Sequence, residues 1–471
     1  MSGLLGAIEI GRSALLAQQI GISVAGDNIA NVNTPGFSRR QAKLVTSEPA
    51  AGLGTGVKVT DVSRTRDQLL DAQVRFQNGL FGRLDTMQKA FATIEGIFSE
   101  LAGSSANEAG AVFSQSSGVG LSGSLSRFFN AFQDLANNPE SGSARAVIRE
   151  EGQFLARTFL RLDDQLKNAQ TDLESEFQRQ VDQANALLDE IGTLNARVPS
   201  ERFGGGGSSA PLEDRRDNLI EELSKLVDIS TREQDDGTVT VYQSGRILVD
   251  HAAVSSLGRR VEVEGDAAVS RLTLASTGEA LTLNGGSLKG IEEVRDTRIP
   301  DYLSALDSLA STLVSEVNQK HSAGYGLNGV SGTNFFDAAG TTARTIQVNS
   351  AILDNTDLIA ASSDGTKGNN RVALQVSDLR LNRLFSGGTK TMEEFYSDLV
   401  GEVGSQAKAT FSNLESQRVI SEQLNNRREN VRGVSVNEEA ANLILFQRAY
   451  QAAARIVTIV DEMFQSVLEM G

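Results

Sequence analysis

Two histidines, His251 and His321, are the only imidazoles in this chain of 471 residues, and there is no cysteine. Structural zinc sites need Cys or His ligands at short, regular spacings, and neither histidine has such a partner. His321 closes an apolar helical pattern, where the last carbonyls mildly favour a positive charge, and His251 sits beside a strand. Acid–base chemistry needs carboxyls held in unlike environments. The adjacent pairs Asp163-Asp164 and Glu438-Glu439 fall on charged helical patterns and read as solvent-facing. DGTKGNN, residues 364–370, offers the oxygens of a calcium loop without its closing glutamate. FGGGGSSAP, residues 203–211, lacks the Lys-Ser/Thr of a phosphate loop and follows a helix, so it reads as a connector. No GxSxG elbow occurs. The expectation is a protein with no catalytic residue, no cofactor and no metal.

Composition narrows the partners. The net charge is −16, and an acidic surface repels phosphate backbones, so nucleic acid is not expected. The basic pairs Arg39-Arg40, Arg259-Arg260 and Arg427-Arg428 are scattered near acids and read as solvated faces. No run of 18 apolar residues exists to span a membrane. Glu9 and Arg12 interrupt the first apolar run, and no basic n-region or A-x-A site accompanies it. A cleaved signal peptide is therefore not expected.

The two chain ends carry the strongest pattern. Ile8, Leu15, Ile22 and Ile29 recur every seven residues, with Leu4, Gly11 and Ala25 on the same stripe. Leu443, Phe446, Tyr450, Ala453, Val457, Val460, Phe464 and Val467 keep a 3-4 alternation. Such stripes bury themselves against another helix in a left-handed supercoil. Leu445, Ile456, Ile459 and Met463 flank the second stripe, so that helix wants two partners. One is the N-terminal helix. The other is a neighbouring subunit or, before assembly, a chaperone groove. Before assembly the ends are expected to be disordered.

Between the ends, 3-4 periodicity predicts helices from near Thr65, over 141–198, over 290–321, and over 391–431 before the last one at 435–470. The helix at 141–198 would be roughly 80–90 Å long. From Ile229 to Leu288 the period drops to two, in short runs broken by Gly and Asp. The chain reads as mainly α with a small antiparallel β insert. Residues 1–60 with 435–471 form a discontinuous terminal coiled coil, 61–228 with 290–434 an elongated helical domain, and 229–289 an outer β domain.

The first helix ends in ANVNTPGFSRR, residues 30–40. Asn31 and Asn33 can bond nearby backbone, Thr34 is pushed out of the helical region by Pro35, Pro35-Gly36 is a turn dipeptide, and Phe37 is an apolar anchor. This string resembles the N-terminal signature of the bacterial flagellar axial proteins. The C-terminal GVSVNEEAANLILFQRAYQAAARIVTIVDEMFQSVLEMG resembles their hook-associated protein 1 family, as do SLSRFFNAFQDLANNPESGSAR at 124–145 and VNQKHSAGYGLNGVSGTNFF at 317–336. The resemblance implies a subunit of a ring at the hook–filament junction, outside the cell, exported without cleavage by the flagellar type III apparatus. It implies as partners other copies of the chain, the hook protein, a second junction hook-associated protein, and an export chaperone on the C-terminal helix. The alternatives are another axial subunit of hook or rod type, a helical export adaptor, or a wall hydrolase. The last would need Asp235, Asp236, Asp250, Glu262, Glu264 and Asp266 to converge, although they lie at turns and strand edges.

Overall fold

The structure is a computed structural model that describes residues 2–47, 55–100, 120–203, 208–264 and 267–469. The glycine run at 204–207 and Asp266 lie outside the described residues. Helix α1 (Ser2–Ala30) leads into a hairpin of β1 (Arg40–Thr46) and β2 (Val57–Arg64). Helices α2 (Gln68–Glu100), α3 (Leu121–Asn137), α4 (Gly142–Phe203) and α5 (Ala210–Leu226) follow. Strands β3 (Ser230–Glu233), β4 (Val239–Gln243), β5 (Arg246–Asp250) and β6 (Ala253–Val254) form an antiparallel meander, and β7 (Leu257–Glu264) pairs with β8 (Ala267–Leu274). Then come α6 (Gly286–Glu293), α7 (Ile299–Ser322), α8 (Ser350–Asp354), α9 (Arg371–Asp378), α10 (Met392–Arg432) and α11 (Val436–Glu469).

Helix α4 has 62 residues and runs past the expected end at Val198, with Pro199 inside its final turns. A proline there has no N–H to give the carbonyl of Asn195, four residues back, and the helix runs on for only one further turn. Helices α6 and α7 are continuous through a wide π-helical turn at Val294–Arg298, two residues before Pro300. The missing Pro300 N–H and its bulky ring suit a widened turn.

Two apolar clusters hold the body. The first joins the end of α2, α3, the first half of α4, α7 and segment 335–403. Its aromatic centre packs Phe128 and Phe132 against Phe335 with ring centroids 5.3 and 5.6 Å apart. The second joins the rest of α4 with α5, α6 and the strands. Residues 229–289 thus share a core with the helices. Their first strand also reaches the start of α2, where Gln68 Nε2 donates to Glu233 Oε2 at 2.8 Å. The nested order of the sequence is an order of insertion, and α5, running back from α4, brings the strands alongside the helical stem.

Two polar residues differ from the reading of the sequence. His321 is buried rather than a charged helix end. Burial pushes its pKa down to about 4 despite the hydrogen bond to Thr333. Its Nδ1 donates to the Thr333 carbonyl at 2.8 Å and its Nε2 accepts from Ala360 N at 2.9 Å, a neutral imidazole pinning two loops. Asp163 is buried too, held by Lys167 at 3.2 Å and Arg344 at 3.4 Å, while Asp164 beside it faces solvent.

Candidate functional site

Helices α1 and α11 pair antiparallel. Gly11 faces Val457, Gly21 faces Phe446, and Asn28 faces Glu439. A Cβ on Gly11 would lie 2.6 Å from Val457 Cγ2, and one on Gly21 would lie 3.0 Å from the Phe446 ring. On α1 the buried positions are therefore small: Gly11, Ala17, Gly21 and Ala25, closed by Asn28. Ile8, Leu15, Ile22 and Ile29 sit half-buried along the edge of this floor. On α11, Ala453 and Val460 are buried, and Leu443, Phe446, Val457 and Phe464 are half-buried. Tyr450 is 40% exposed and lies outside the seam within one chain. The floor of small residues is narrow, so it takes the side chains centred on it and leaves a tyrosine at the edge. The side chain of Val467 lies outside the described residues.

The outer face of α11 is bare. Leu445 is 62% exposed, Ile459 55% and Met463 52%, with Ile444 and Ile456 beside them. On α1, Ile10, Leu16 and Ile20 are exposed as well.

The exit from α1 is built from polar contacts. Asn31 Nδ2 donates to the Asp27 carbonyl at 3.0 Å and to Asp27 Oδ1 at 2.9 Å, and the Thr34 hydroxyl donates to Asn31 Oδ1 at 3.2 Å. Phe37 N donates to the Thr34 carbonyl at 3.2 Å, closing a turn around Pro35-Gly36. Gly36 has φ +80°, which the third position of a type II turn requires. A side chain there would also collide with Asn218 on α5. Asn33, Thr34 and Pro35 are exposed, and Phe37 lies under the Arg40 guanidinium at 4.7 Å.

The charged pairs beside this turn are not solvated faces. Glu439 is buried and accepts from Arg39 Nε at 2.8 Å, and Glu438 pairs with Arg39 at 3.0 Å. Asn28 Nδ2 donates to Glu439 Oε2 at 3.1 Å and to the Arg40 carbonyl at 2.9 Å, while Asn28 Oδ1 accepts from Arg40 N at 2.9 Å. Arg40 also pairs with Asp27, and Arg428 is buried against Glu221. Glu439 lies 400 positions from Arg39, and Glu221 lies 207 from Arg428, so a local reading sees the charge but not what faces it.

Elsewhere four of the candidate acids, Asp236, Asp250, Glu262 and Asp364, contact neighbours, and the side chain of Glu264 lies outside the described residues. Asp250 and Asp236 contact His251 at 3.0 and 3.4 Å, and Glu262 contacts Arg260 and Arg271. Asp364 accepts from Thr366 N at 2.9 Å, folding DGTKGNN on itself. Among the described residues no group of three His, Asp or Glu could hold a metal ion.

Paired chain ends with a bare apolar outer face, carried on a long helical body, define a structural subunit of an axial assembly. Family comparisons agree. Residues 8–37 match the flagella basal body rod protein model, 106–336 the flagellar hook-associated protein FlgK helical domain, and 430–470 the flagellar basal body rod FlgEFG protein C-terminal model. Flagellar hook-associated protein 1 of Bacillus subtilis is 30% identical, with 98% of this chain and 97% of that protein aligned. Those of Salmonella typhimurium and Escherichia coli are 23% and 24% identical, each with 97% of this chain and 98% of the relative covered. The solved structure of the flagellar hook junction protein FlgK from Burkholderia pseudomallei shares the fold. Its TM-score is 0.66 at 14% identity, over 76% of this chain and all of that one. The chain belongs to the flagellar hook-associated protein 1 family and is a structural, hook-associated component of the flagellum.

Proposed function

We propose that this subunit forms the ring that joins hook to filament, and that it assembles by burying the outer face of α11 and the edge of α1 against neighbouring copies. The observation that carries this is an apolar face left open on a helix that already has its partner: Leu445, Ile456, Ile459 and Met463. Burying each such side chain contributes on the order of 1.5–3 kcal/mol, from which the entropy of ordering is subtracted. The terminal unit, 1–60 with 435–471, is the assembly element, with Ile8, Leu15, Ile22, Ile29 and Tyr450 available at its rim. The ring lies outside the cell between the hook protein and a second hook-associated protein. The chain travels there uncleaved through the flagellar export apparatus, with a chaperone on the C-terminal helix beforehand. No bond is made or broken in this role.

The test is deletion of the gene. Intact hooks with filament protein shed into the medium are the expected outcome. Normal filaments in the deletion strain would overturn the junction role.

A further inference from the structure

Two arginines on α4 have nothing to pair with. Arg157 and Arg161 are exposed one turn apart on the outer face of the helix, and neither makes an ion pair or a hydrogen bond among the described residues. The acids beside them are already taken: Glu150 pairs with Arg149 at 2.8 Å and Asp164 with Arg344 at 3.5 Å. The chain as a whole has a net charge of −16, so a face with two free guanidinium groups is unlike the rest of its surface. Neither group can lose its proton in a protein.

The outer face of α10 carries the opposite charge. Glu394, Asp398 and Glu402 are exposed there at successive turns. Asp398 has Lys390 at 2.5 Å, Glu394 accepts from Thr391 N at 2.8 Å, and Glu402 accepts from Gln406 Nε2 at 2.8 Å. One lysine against three carboxylates leaves the stripe negative. Ser397, Gly401 and Ser405 run between the acids, and a Cβ on Gly401 would meet nothing within 4 Å. A helix from outside can therefore approach closely. Leu160, exposed beside the two arginines, is an apolar side chain that such a groove would take.

The two stripes do not meet within one chain. Helix α3 lies between them, with Arg127 bonded to Glu151 on α4 and Ser126 to Glu393 on α10. They do stand level. On α7, Tyr302 donates to Gln406 at 2.6 Å, and the rings of Tyr302 and Tyr396 both pack on Phe98. Five residues further along α7, Asp307 accepts from Ala343 N at 2.8 Å, and the neighbouring Arg344 reaches Asp163 on α4. Helix α4 runs against α7, as the contacts of Gln170 with Arg295 and of Asp163 with Arg344 order them. Helix α2 runs with α7, from Arg83 at Glu293 to Phe98 at Tyr302, and α10 runs against α2, from Tyr396 at Phe98 to Gln417 at Gln77. The arginines and the acids therefore overlap in height to within about one turn of helix, about 5 Å.

A contact between different faces of identical copies is heterologous, and it closes into a ring when the rotation between copies closes. We propose that the positive stripe of α4 docks on the negative stripe of α10 in the next copy of this chain, with Arg157 and Arg161 set among Glu394, Asp398 and Glu402. This contact between bodies adds to the one between chain ends and rests on the ring proposed above. Exposed ion pairs add little affinity one by one. They decide which faces meet, since α4 against α4 or α10 against α10 would bring like charges together.

The chain has no cysteine, so introduced cysteines are unique sites. Leu160→Cys on α4 and Ser397→Cys on α10 keep every charge in place. Flagella from cells producing the doubly substituted full chain are treated with a short bismaleimide, and the products are separated by mass. The expected result is a ladder of two, three and more copies, and no ladder from Leu160→Cys alone. Arg157→Glu with Arg161→Glu should abolish the ladder, and adding Asp398→Arg and Glu402→Arg to that chain should restore it. If a charge-reversed chain fails to fold, the ladder from the two cysteine substitutions alone still decides. Flagella with normal filaments and no ladder would overturn the proposal. So would a cross-link from the α4 site to a chain of another mass, which would give that face to a different flagellar protein. Both results leave the ring itself standing, whereas normal filaments after gene deletion would remove it.

Discussion

Asn28 and Glu439, 411 positions apart, share a hydrogen bond of 3.1 Å at a buried site. The contact closes the chain on itself: α1 ends and α11 begins at the same point, and Arg39 clamps the carboxylate from the other side at 2.8 Å. A polar group at one end of an otherwise apolar seam fixes which residues face each other. The antiparallel order along α1 and α11 follows from that anchor and from the glycine floors at Gly11 and Gly21.

Removing the anchor should loosen the ends and leave the body intact. Glu439→Ala leaves the Asn28 amide and the Arg39 guanidinium without their buried partner, a cost of about 2 kcal/mol or a factor of roughly 30 in local opening. In the assembled state, where the ends are paired, amide exchange across 436–446 should quicken by about that factor, with no change over 155–191. Exchange rates that stay at the parent level would show that Glu439 does not hold the pair.

The small-residue floor makes a second prediction. Gly11→Leu pushes a side chain into the space of Val457, whose β-branched stem cannot rotate away. Overpacking of this kind costs typically about 1–3 kcal/mol. The thermal unfolding of the body should be unchanged, and cells carrying the variant should fail to assemble filaments. Normal motility would show that the two helices need not approach so closely.

The outer face should be silent in the monomer and decisive in the assembly. Leu445→Glu and Ile459→Asp change exposed positions, so each should alter the stability of the free chain by no more than about 0.5 kcal/mol. Electron microscopy of cells producing either variant should show hooks without filaments. Filaments on such cells would mean that this face contacts water in the flagellum, and that the neighbour docks elsewhere.

These positions show what a sequence can and cannot disclose. Long helices such as α4 and α10 repeat their pattern over many turns, and their bounds fall within a few residues of expectation. The turn at Pro35-Gly36 was legible because only glycine accepts φ +80° without strain. The seam was half legible. Counting heptads put Gly11 and Ala25 on the stripe but centred it on large side chains and passed over Ala17 and Gly21, which also lie buried on α1. The buried charges Glu439 and Arg428 were not legible, since their partners lie far away in sequence, and Asp163 has Lys167 one turn on but owes its burial to the distant segment that carries Arg344. The spacing of Leu219, Ile220, Leu223 and Leu226 marks α5 as a helix but does not record its direction, the return that sets the strands beside the stem.

The last prediction concerns acid. His321 is neutral and doubly hydrogen-bonded at physiological pH, with its pKa pushed down to about 4 from 6.5 by burial. A histidine whose folded pKa is depressed lends stability above its unfolded pKa and loses it as pH falls. The window here is therefore pH 6.5 down to about 4, and the loss across it is about 3 kcal/mol. Carboxylates held below their ordinary range, such as Asp217 and Glu174, lose stability in the same direction: burial raises each, but Arg64 and Arg66 on the first and Gln178 and Ser270 on the second prevail. The comparison must therefore isolate the imidazole. His321→Gln keeps one donor and one acceptor and cannot ionise. Urea unfolding of both chains at pH 7, 5.5 and 4 should give curves whose separation shrinks or reverses toward pH 4 by about 3 kcal/mol. A separation that is constant with pH would mean that the two loops at Thr333 and Ala360 readily admit a charged imidazole.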